Sequence, residues 1–418
     1  MVRELKHTEI GDIPVDWERQ TFDETFRVIS NNTLSRENLN NRGGAVRNIH
    51  YGDILTKFPE ILDCSEDEIP FVNDLSLLSS STQLLQDGDV VIADTAEDET
   101  VGEVTEVQNL GNSKLVAGLH TIPCRVKKGD FAPGWLGYYM NSNLFHDQIL
   151  PYVTGIKVSS ISKSAISGTL ILIPPKKEQE KIVKSLQDIE LLLKKLKKSV
   201  LKKQEIKNTL LHQLMTGERR IDGFVGEWKR IKLKNMFSDF IVPMRDKPKN
   251  LTGNIPWCRI EDFDGKYLVK SKSGQGVNKT TIEEMNLKVF PVGTLLVSCS
   301  ANLGRCAIVG KELITNQTFI GLVPNSKADV EFFYYRMCFE ENVLNALATG
   351  TTITYLSREQ FEEYELLIPT NKEEQQAIAQ LLSDFDDEIE KEKSKLQKYS
   401  LLKVGMTSDL TSGKIRLV

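Results

Sequence analysis

One segment of this 418-residue chain occurs twice, and each copy reads as a long amphipathic helix. Glu178, Gln179, Ile182, Leu186, Ile189, Leu193, Val200, Ile206, Leu210, Leu214 and Gly217 recur 196 residues later, without a gap, as Glu374, Gln375, Ile378, Leu382, Phe385, Ile389, Leu396, Leu402, Met406, Leu410 and Gly413. From Ile182 through Leu186, Ile189, Leu193 and Leu196 to Val200 the apolar residues fall alternately four and three apart. This 3.5-residue repeat predicts a left-handed coiled-coil seam. The second copy carries the seam through Ile378, Leu382, Phe385, Ile389 and Leu396, with Glu392 where the first has Leu196. Both copies slip between Val200 and Ile206, and between Leu396 and Leu402, so packing must adjust there. About 40 residues at 1.5 Å each make a rod of roughly 60 Å. One such helix cannot hide its stripe. Two related by an internal pseudo-two-fold can bury each other's, so an antiparallel pair is expected, with globular domains at opposite ends and Glu392 meeting a lysine such as Lys195. The other use for the stripe is to recruit the helices of a different protein, and the slipped ends suit such a partner.

The segments before the helices repeat as well. GDIPVDWERQTFDETF near the start matches DGFVGEWKRIKLKNMF, so Trp17 pairs with Trp228, and both read as core anchors. Short β-branched runs broken by Gly, Asp and Asn follow in each half and predict strands: VRNIHYGDI, LLQDGDVVIADT and KLVAGLHTIPCRV, then IPWCRIEDF, VFPVGTLLVSCSANLGRCAIVG and ELITNQTFIGLVP. An amphipathic helix comes next, aligned through Tyr138 and Tyr139 with Tyr334 and Tyr335. TGIKVSSISKSAISGTLILIPP at Thr154 then lines up with TGTTITYLSREQFEEYELLIPT at Thr349, which predicts a short helix, a strand and a proline stop. The expected fold is α+β. Two α/β globular domains related by a pseudo-two-fold, residues 1–173 and 219–368, are separated by two long antiparallel helices, 174–218 and 369–418, that form a coiled coil.

Composition excludes several functions. No apolar run approaches the roughly 20 residues of a membrane span, and MVRELKHTEIGD lacks the apolar core of a secretory signal, so a cytoplasmic protein away from membranes is expected. The six cysteines include no CxxC pair, and with five scattered histidines they offer no metal-ligand spacing. No catalytic residues are assigned. GxxxxGK[ST], GxGxxG, HExxH and GxSxG are all missing, as is the Asn/Asp-Pro-Pro-aromatic tetrapeptide of amino-methyltransferases. A self-sufficient methyltransferase or nuclease would need such motifs. The net charge of −5 hides an asymmetry: residues 1–173 carry 14 basic against 25 acidic side chains, and residues 174–220 carry 13 against 6. A solitary nucleic-acid binder is normally basic, because neutralising phosphates supplies much of its affinity. Any DNA binding by this chain needs a partner's positive charge.

Each half thus has a Trp near its start and a TGxxxxxLS…LxIPxxxEQxxI passage before a long helix closing on LxTG. The chain resembles, over essentially its whole length, the specificity subunit of Type I restriction-modification systems. Pro174 with Glu178-Gln179, Pro369 with Glu374-Gln375, Leu214-Met215-Thr216-Gly217 and Leu410-Thr411-Ser412-Gly413 carry the resemblance most specifically. The second copy departs slightly, with Ser for Thr and one extra residue between Pro and Glu-Gln. The resemblance implies a non-catalytic subunit in which each globular domain reads one half of a bipartite double-stranded DNA target. The helices would then act as a spacer ruler. Two modification (methyltransferase) subunits would dock on it and ATP-dependent restriction subunits would join for cleavage, so that S-adenosylmethionine, ATP and Mg are expected on the partners and no cofactor in this chain. The competing reading is a coiled-coil scaffold, unconnected with DNA, whose tandem domains bind proteins.

Reading base edges takes polar side chains on exposed loops. The candidates for DNA contact are Arg47, Asn48 and His50 beside the first strand, His120 after Gly118, and Lys157, Ser159 and Ser160 after Thr154-Gly155. In the second domain they are Arg259, Asn302, Arg305, Asn316, Gln317, Thr351, Thr352, Tyr355 and Arg358. Lys229, Arg230, Lys232 and Lys234 form a short basic run suited to phosphate.

Overall fold

The computed structural model describes residues 4–155, 157–243, 247–300, 303–348 and 355–418. The chain divides into two compact units, Met1–Leu196 with Lys395–Val418, and Lys197–Ser394. The first unit is closed by the end of the chain, and the second is one uninterrupted stretch.

In the first unit a five-stranded sheet runs in the order Phe26–Val28, Thr121–Val126, Val90–Ala93, Val104–Gln108 and Ile61–Asp63. Val90, Val91, Ile92 and Ala93 are all buried, because this central strand is covered on both faces and its β-branched run needs no polar alternation. Four short strands make a second sheet, Leu115–Ala117, Arg47–Ile49, Phe71–Val72 and Leu39–Asn40. The second unit repeats the plan. Its five strands are Phe237–Ile241, Phe319–Pro324, Leu295–Ser298, Cys306–Val309 and Tyr267–Leu268, and its smaller sheet is Gly276–Val277, Ile255–Cys258 and Ile314–Thr315. The helix expected after these strands is continuous in the second unit, Val330–Ala348, but broken in the first into Trp135–Met140 and Asn143–Ile149. The strand Arg47–Ile49 ends where the helix Tyr51–Thr56 begins, so the run VRNIHYGDI is only half strand.

The long helices are Lys176–Thr216 and Lys372–Thr411, each followed by a glycine in the left-handed region, Gly217 at φ 76° and Gly413 at φ 72°. Within each unit they run antiparallel. In the first, Ile182, Val183 and Leu186 share a core with Leu410, Trp17 and Trp135; in the second, Leu210, Leu214 and Met215 share one with Ile378, Ala379 and Leu382. The seam residues Ile182, Leu186, Ile189, Val200, Ile378, Leu382 and Ile389 are buried, and Leu193, Leu196, Phe385 and Leu396 are half-buried. Glu392 meets Lys203 at 3.0 Å instead of Lys195, because the crossing register places the lysine eight residues further on; Lys203 also holds Glu388 at 2.9 Å.

The family-like motifs close each domain onto the helices. The Trp17 indole N–H donates to Glu178 at 3.1 Å, and that of Trp228 donates to Glu374 at the same distance. Arg416 and Arg220, a few residues past the helix ends, each fork onto the same glutamate (2.6 and 2.7 Å; 2.9 and 2.6 Å). Gln179 accepts from Ala132 N at 2.8 Å and Gln375 from Asp329 N at 2.9 Å. A second repeated network joins a tyrosine, a carboxylate and a lysine. Tyr138 Oη donates to Glu190 at 2.8 Å, and Lys403 bridges Glu190 (2.8 Å) and Glu60 (2.7 Å). Burial pulls the Lys403 pKa down, but the two carboxylates outweigh it and hold it above the ordinary lysine value. In the second unit Tyr335 Oη donates to Asp386 at 2.8 Å, and Lys207 pairs with the same carboxylate. The structural equivalent of Tyr138 is therefore Tyr335, one residue beyond the alignment by sequence.

Glu103 lacks such compensation. Burial, with Asp98 and Glu60 nearby, pushes its carboxyl from 4.5 up to about 7. A carboxyl raised in the folded state leaves that state with more bound protons than the unfolded chain between those two values, so its contribution to stability falls as pH rises from 4.5 to 7. Glu103→Gln is expected to leave stability unchanged at pH 4.5 and to raise it at pH 8 by about 1 kcal/mol, a figure discounted for the half-exposed site. Urea titrations at the two pH values measure the difference, and equal shifts at both would refute it.

Candidate nucleic-acid interface

In each unit a parallel strand pair carries two candidate loops side by side. Arg47–Ile49 pairs with Leu115–Ala117 (Arg47 opposite Leu115, Ile49 opposite Ala117), so His50 emerges next to the Gly118–His120 turn. Ile255–Cys258 pairs with Ile314–Thr315 (Cys258 opposite Thr315), so Arg259 emerges next to Asn316 and Gln317. A third segment joins each cluster. Thr95–Ala96 pairs antiparallel with Ser159–Ser160, and the Thr154 and Ser160 backbones exchange bonds of 3.0 and 2.8 Å, which brings the Thr154-Gly155 loop alongside. In the second unit Ser300 bridges Tyr355 in the equivalent place.

The first cluster centres on Tyr51, with the His50 ring 4.7 Å away and the His120 ring edge-on at 5.3 Å. His50 starts the helix Tyr51–Thr56: its Nδ1 accepts from Gly52 N at 3.1 Å, and burial, with Arg36 nearby, lowers its pKa. The exposed His120 is one of three non-glycine residues with positive φ among the described residues, at 56°. Its Nδ1 lies 3.3 Å from Thr95 Oγ1 and 3.4 Å from Asp94 Oδ1. Lys157 is exposed, and Ser159 and Ser160 are half-buried in their strand. Tyr51, Asp94 and Thr95 were not singled out from the sequence; only their nearness to His120 marks them.

Two candidates serve the framework instead. Asn48 is fully buried, with Oδ1 accepting from Asn32 Nδ2 at 2.7 Å, and it sits so close to Gly118 that a Cβ there would come within 2.6 Å of its Nδ2. Arg47 donates to Cys64 O at 2.6 Å and covers the Phe71 ring at 5.5 Å. Both brace the loops that carry the histidines.

In the second unit Arg259 donates to Gln275 Oε1 at 2.6 Å and pairs with Glu261 at 3.1 Å. Asn316 Oδ1 accepts from Thr318 Oγ1 at 2.5 Å, while Gln317 and Arg305 are exposed. Tyr355 is largely exposed, and Arg358 donates to Glu362 at 2.7 Å. Asn302, Thr351, Thr352 and the Thr349-Gly350 pair lie outside the described residues. Three side chains of the basic run are already engaged: Lys229 meets Glu227, while Lys232 and Lys234 both hold Glu363, and these two lysines pull its carboxyl down to about 2. Among the described residues no His, Cys, Asp or Glu group is arranged to hold a metal ion, and no helix is long and apolar enough to cross a membrane.

Residues 14–208 and 226–398 each match the model of the Type I restriction modification DNA specificity domain. The chain belongs to that family. A specificity subunit of this kind recognises DNA through its two repeated domains, is itself non-catalytic, and works within a restriction-modification complex of DNA and other subunits. Among relatives of the specificity family, the putative type I restriction enzyme MjaX specificity subunit of Methanocaldococcus jannaschii is 24% identical over 99% of this chain and 97% of its own length. The MjaIX specificity subunit of the same organism is 33% identical over 34% of this chain and 33% of its own. The crystal structure of the Type I restriction-modification S subunit from M. genitalium shares the fold, with a TM-score of 0.57 at 14% identity over 98% of this chain and 99% of that one. A chain from a structure describing assembly and conformational transition of the type I R-M system gives 0.59 at 14% identity over 96% and 99%.

Proposed function

We propose that each globular domain reads one half of an asymmetric bipartite duplex, and that the paired helices set the unspecified gap between the halves and dock two modification subunits. The observation that carries this reading is the repeated strand-end geometry with different side chains on it. The paired strand ends carry His50 beside Gly118–His120 in the first domain and Arg259 beside Asn316–Thr318 in the second. The same scaffold with different polar edges suits two different base sequences.

Charge and exposure support the partners. The excess of acidic groups in residues 1–173 leaves phosphate neutralisation to other subunits. At the slips and just past them, apolar side chains on the long helices stay exposed, Leu401, Leu402 and Val404 in the first unit and Leu201 and Ile206 in the second, and Leu191 is exposed off the seam of the first helix. In the second unit Ile206 lines a groove with Leu210, Leu381 and Phe385. Such a face suits an amphipathic helix from a modification subunit. S-adenosylmethionine, ATP and Mg then reside on the modification and restriction subunits, and the assembly works in the cytoplasm. The domain limits that suit this division of labour are 1–173 and 219–368 for reading, and 174–218 and 369–418 for the spacer.

Single-molecule mapping of methylated bases after co-expression with the modification subunits tests the proposal. The expected result is one bipartite motif with two unlike halves and a fixed gap. Random methylation, or a continuous motif, would refute it.

A further inference from the structure

We infer that His120 reads the exocyclic amino group of a single base in the first half-site, accepting its hydrogen bond at Nε2. The inference rests on the reading of this cluster as a DNA interface, and the hydrogen-bond network around the ring takes it further. Thr95 Oγ1 has one proton and donates it to Asp94 Oδ1 at 2.8 Å. Only its lone pairs therefore face His120 Nδ1, 3.3 Å away, and the Asp94 carboxylate, 3.4 Å from the same nitrogen, is an acceptor as well. Both neighbours demand a proton on Nδ1. In the neutral imidazole the lone pair is then on Nε2.

Three further observations suit a reader. The His120 side chain is 45% exposed. The Tyr51 ring stands edge-on to it and fixes its plane. Its backbone holds φ 56°, a conformation that costs a non-glycine residue free energy and clusters at binding sites. In the major groove only adenine N6 and cytosine N4 present donors, whereas guanine O6 and thymine O4 present acceptors. A fixed acceptor at this place therefore selects an amino-bearing base over a keto-bearing one. Asp94 and Thr95 are positioning residues: they set the tautomer, and Asp94 Oδ1 and Thr95 Oγ1 are engaged with each other and with the ring.

The test uses the full chain with its modification subunits on a library of duplexes randomised in the first half-site. His120→Gly removes the ring and adopts positive φ freely; His120→Asn also tolerates that backbone but replaces the fixed acceptor with an amide. The wild type is expected to favour adenine or cytosine at one position by about fivefold or more, the worth of one hydrogen bond. His120→Gly should level that position while leaving the second half-site and the gap unchanged. A duplex whose base at that position carries hydrogen in place of the amino group should bind the wild type about fivefold more weakly and the glycine variant no more weakly. Unchanged preference at every position in His120→Gly overturns the inference, as does wild-type binding indifferent to loss of the amino group. If the glycine variant loses both half-sites through misfolding, His120→Asn decides: a softened preference at that one position supports the role, and an unaltered profile overturns it. Failure of the underlying reading looks different, since the wild-type complex would then select no bipartite sequence at all.

Discussion

Lengthening both long helices by four residues, between Leu196 and Lys197 and between Ser394 and Lys395, is expected to widen the unspecified gap in the DNA target while leaving both half-sites as they were. Those are the points at which each helix passes from one compact unit to the other, so the insertion leaves the contacts inside each unit intact. Four residues add about 6 Å at 1.5 Å each. One base pair adds about 3.4 Å and turns the duplex by about 34°, so the gap should grow by one or two base pairs. Four is also a stutter in a heptad seam and locally unwinds it, whereas seven keeps the phase. A seven-residue insertion should therefore shift the gap further, by about three base pairs, with less loss of stability. Methylated positions mapped for the three lengths decide the matter. A gap that stays constant while the helices grow would remove the ruler.

Arg416→Ala is expected to destabilise the first unit by about 3 kcal/mol, the low end of what breaking a buried ion pair costs, since Arg416 itself is partly exposed. The guanidinium forks onto Glu178 at 2.6 and 2.7 Å and onto Asp16 at 2.9 and 2.7 Å, and it lies 5.8 Å from the Trp17 ring centroid. Glu178 has only 1% of its side chain exposed. Without Arg416 its carboxylate keeps neutral donors alone, the Trp17 indole at 3.1 Å and Leu417 N at 3.3 Å. For a unit of this size the loss corresponds to a fall in Tm of about 6–10 °C. Adding Glu178→Gln removes the stranded charge and should restore part of the loss, the coupling expected of residues in direct contact. Arg220→Ala should act on the second unit in the same direction through Glu374, whose side chain is equally shut off from water. A Tm within about 1 °C of wild type for Arg416→Ala would show that Glu178 is served well enough by its neutral donors.

The helix pair was legible because its information is periodic. Ile182, Leu186 and Ile189 recur at heptad spacing, and burial follows the spacing. What periodicity leaves open is how one helix slides against the other, which is why Glu392 finds Lys203 rather than Lys195. The Glu-Gln and Leu-x-Thr-Gly motifs were visible as repeats, but their physical role was not, since Trp17 and Glu178 are 161 residues apart and Arg416 reads locally as a solvated residue past a helix end. Loop candidates were chosen by side-chain type, and type does not report direction. Asn48 has the chemistry of a reader, yet its strand turns it inward onto Asn32. Asp94 and Thr95 sit just past an apolar strand and gain meaning only when Ser160 and His120 are brought beside them.

The two units are not equivalent during synthesis. The second is a continuous run, Lys197–Ser394, and every residue it needs has been made before the chain is finished. The first begins at the N-terminus but is completed by Lys395–Val418, which bring Lys403, Leu410 and Arg416 to Glu190, Ile182 and Glu178. The half translated first must therefore wait for residues 395–418, its core open along one side of the nascent helix. Chains ending at Ser394 and released from the ribosome should be cleaved by protease in the first half while the second already resists, the reverse of the usual N-to-C order.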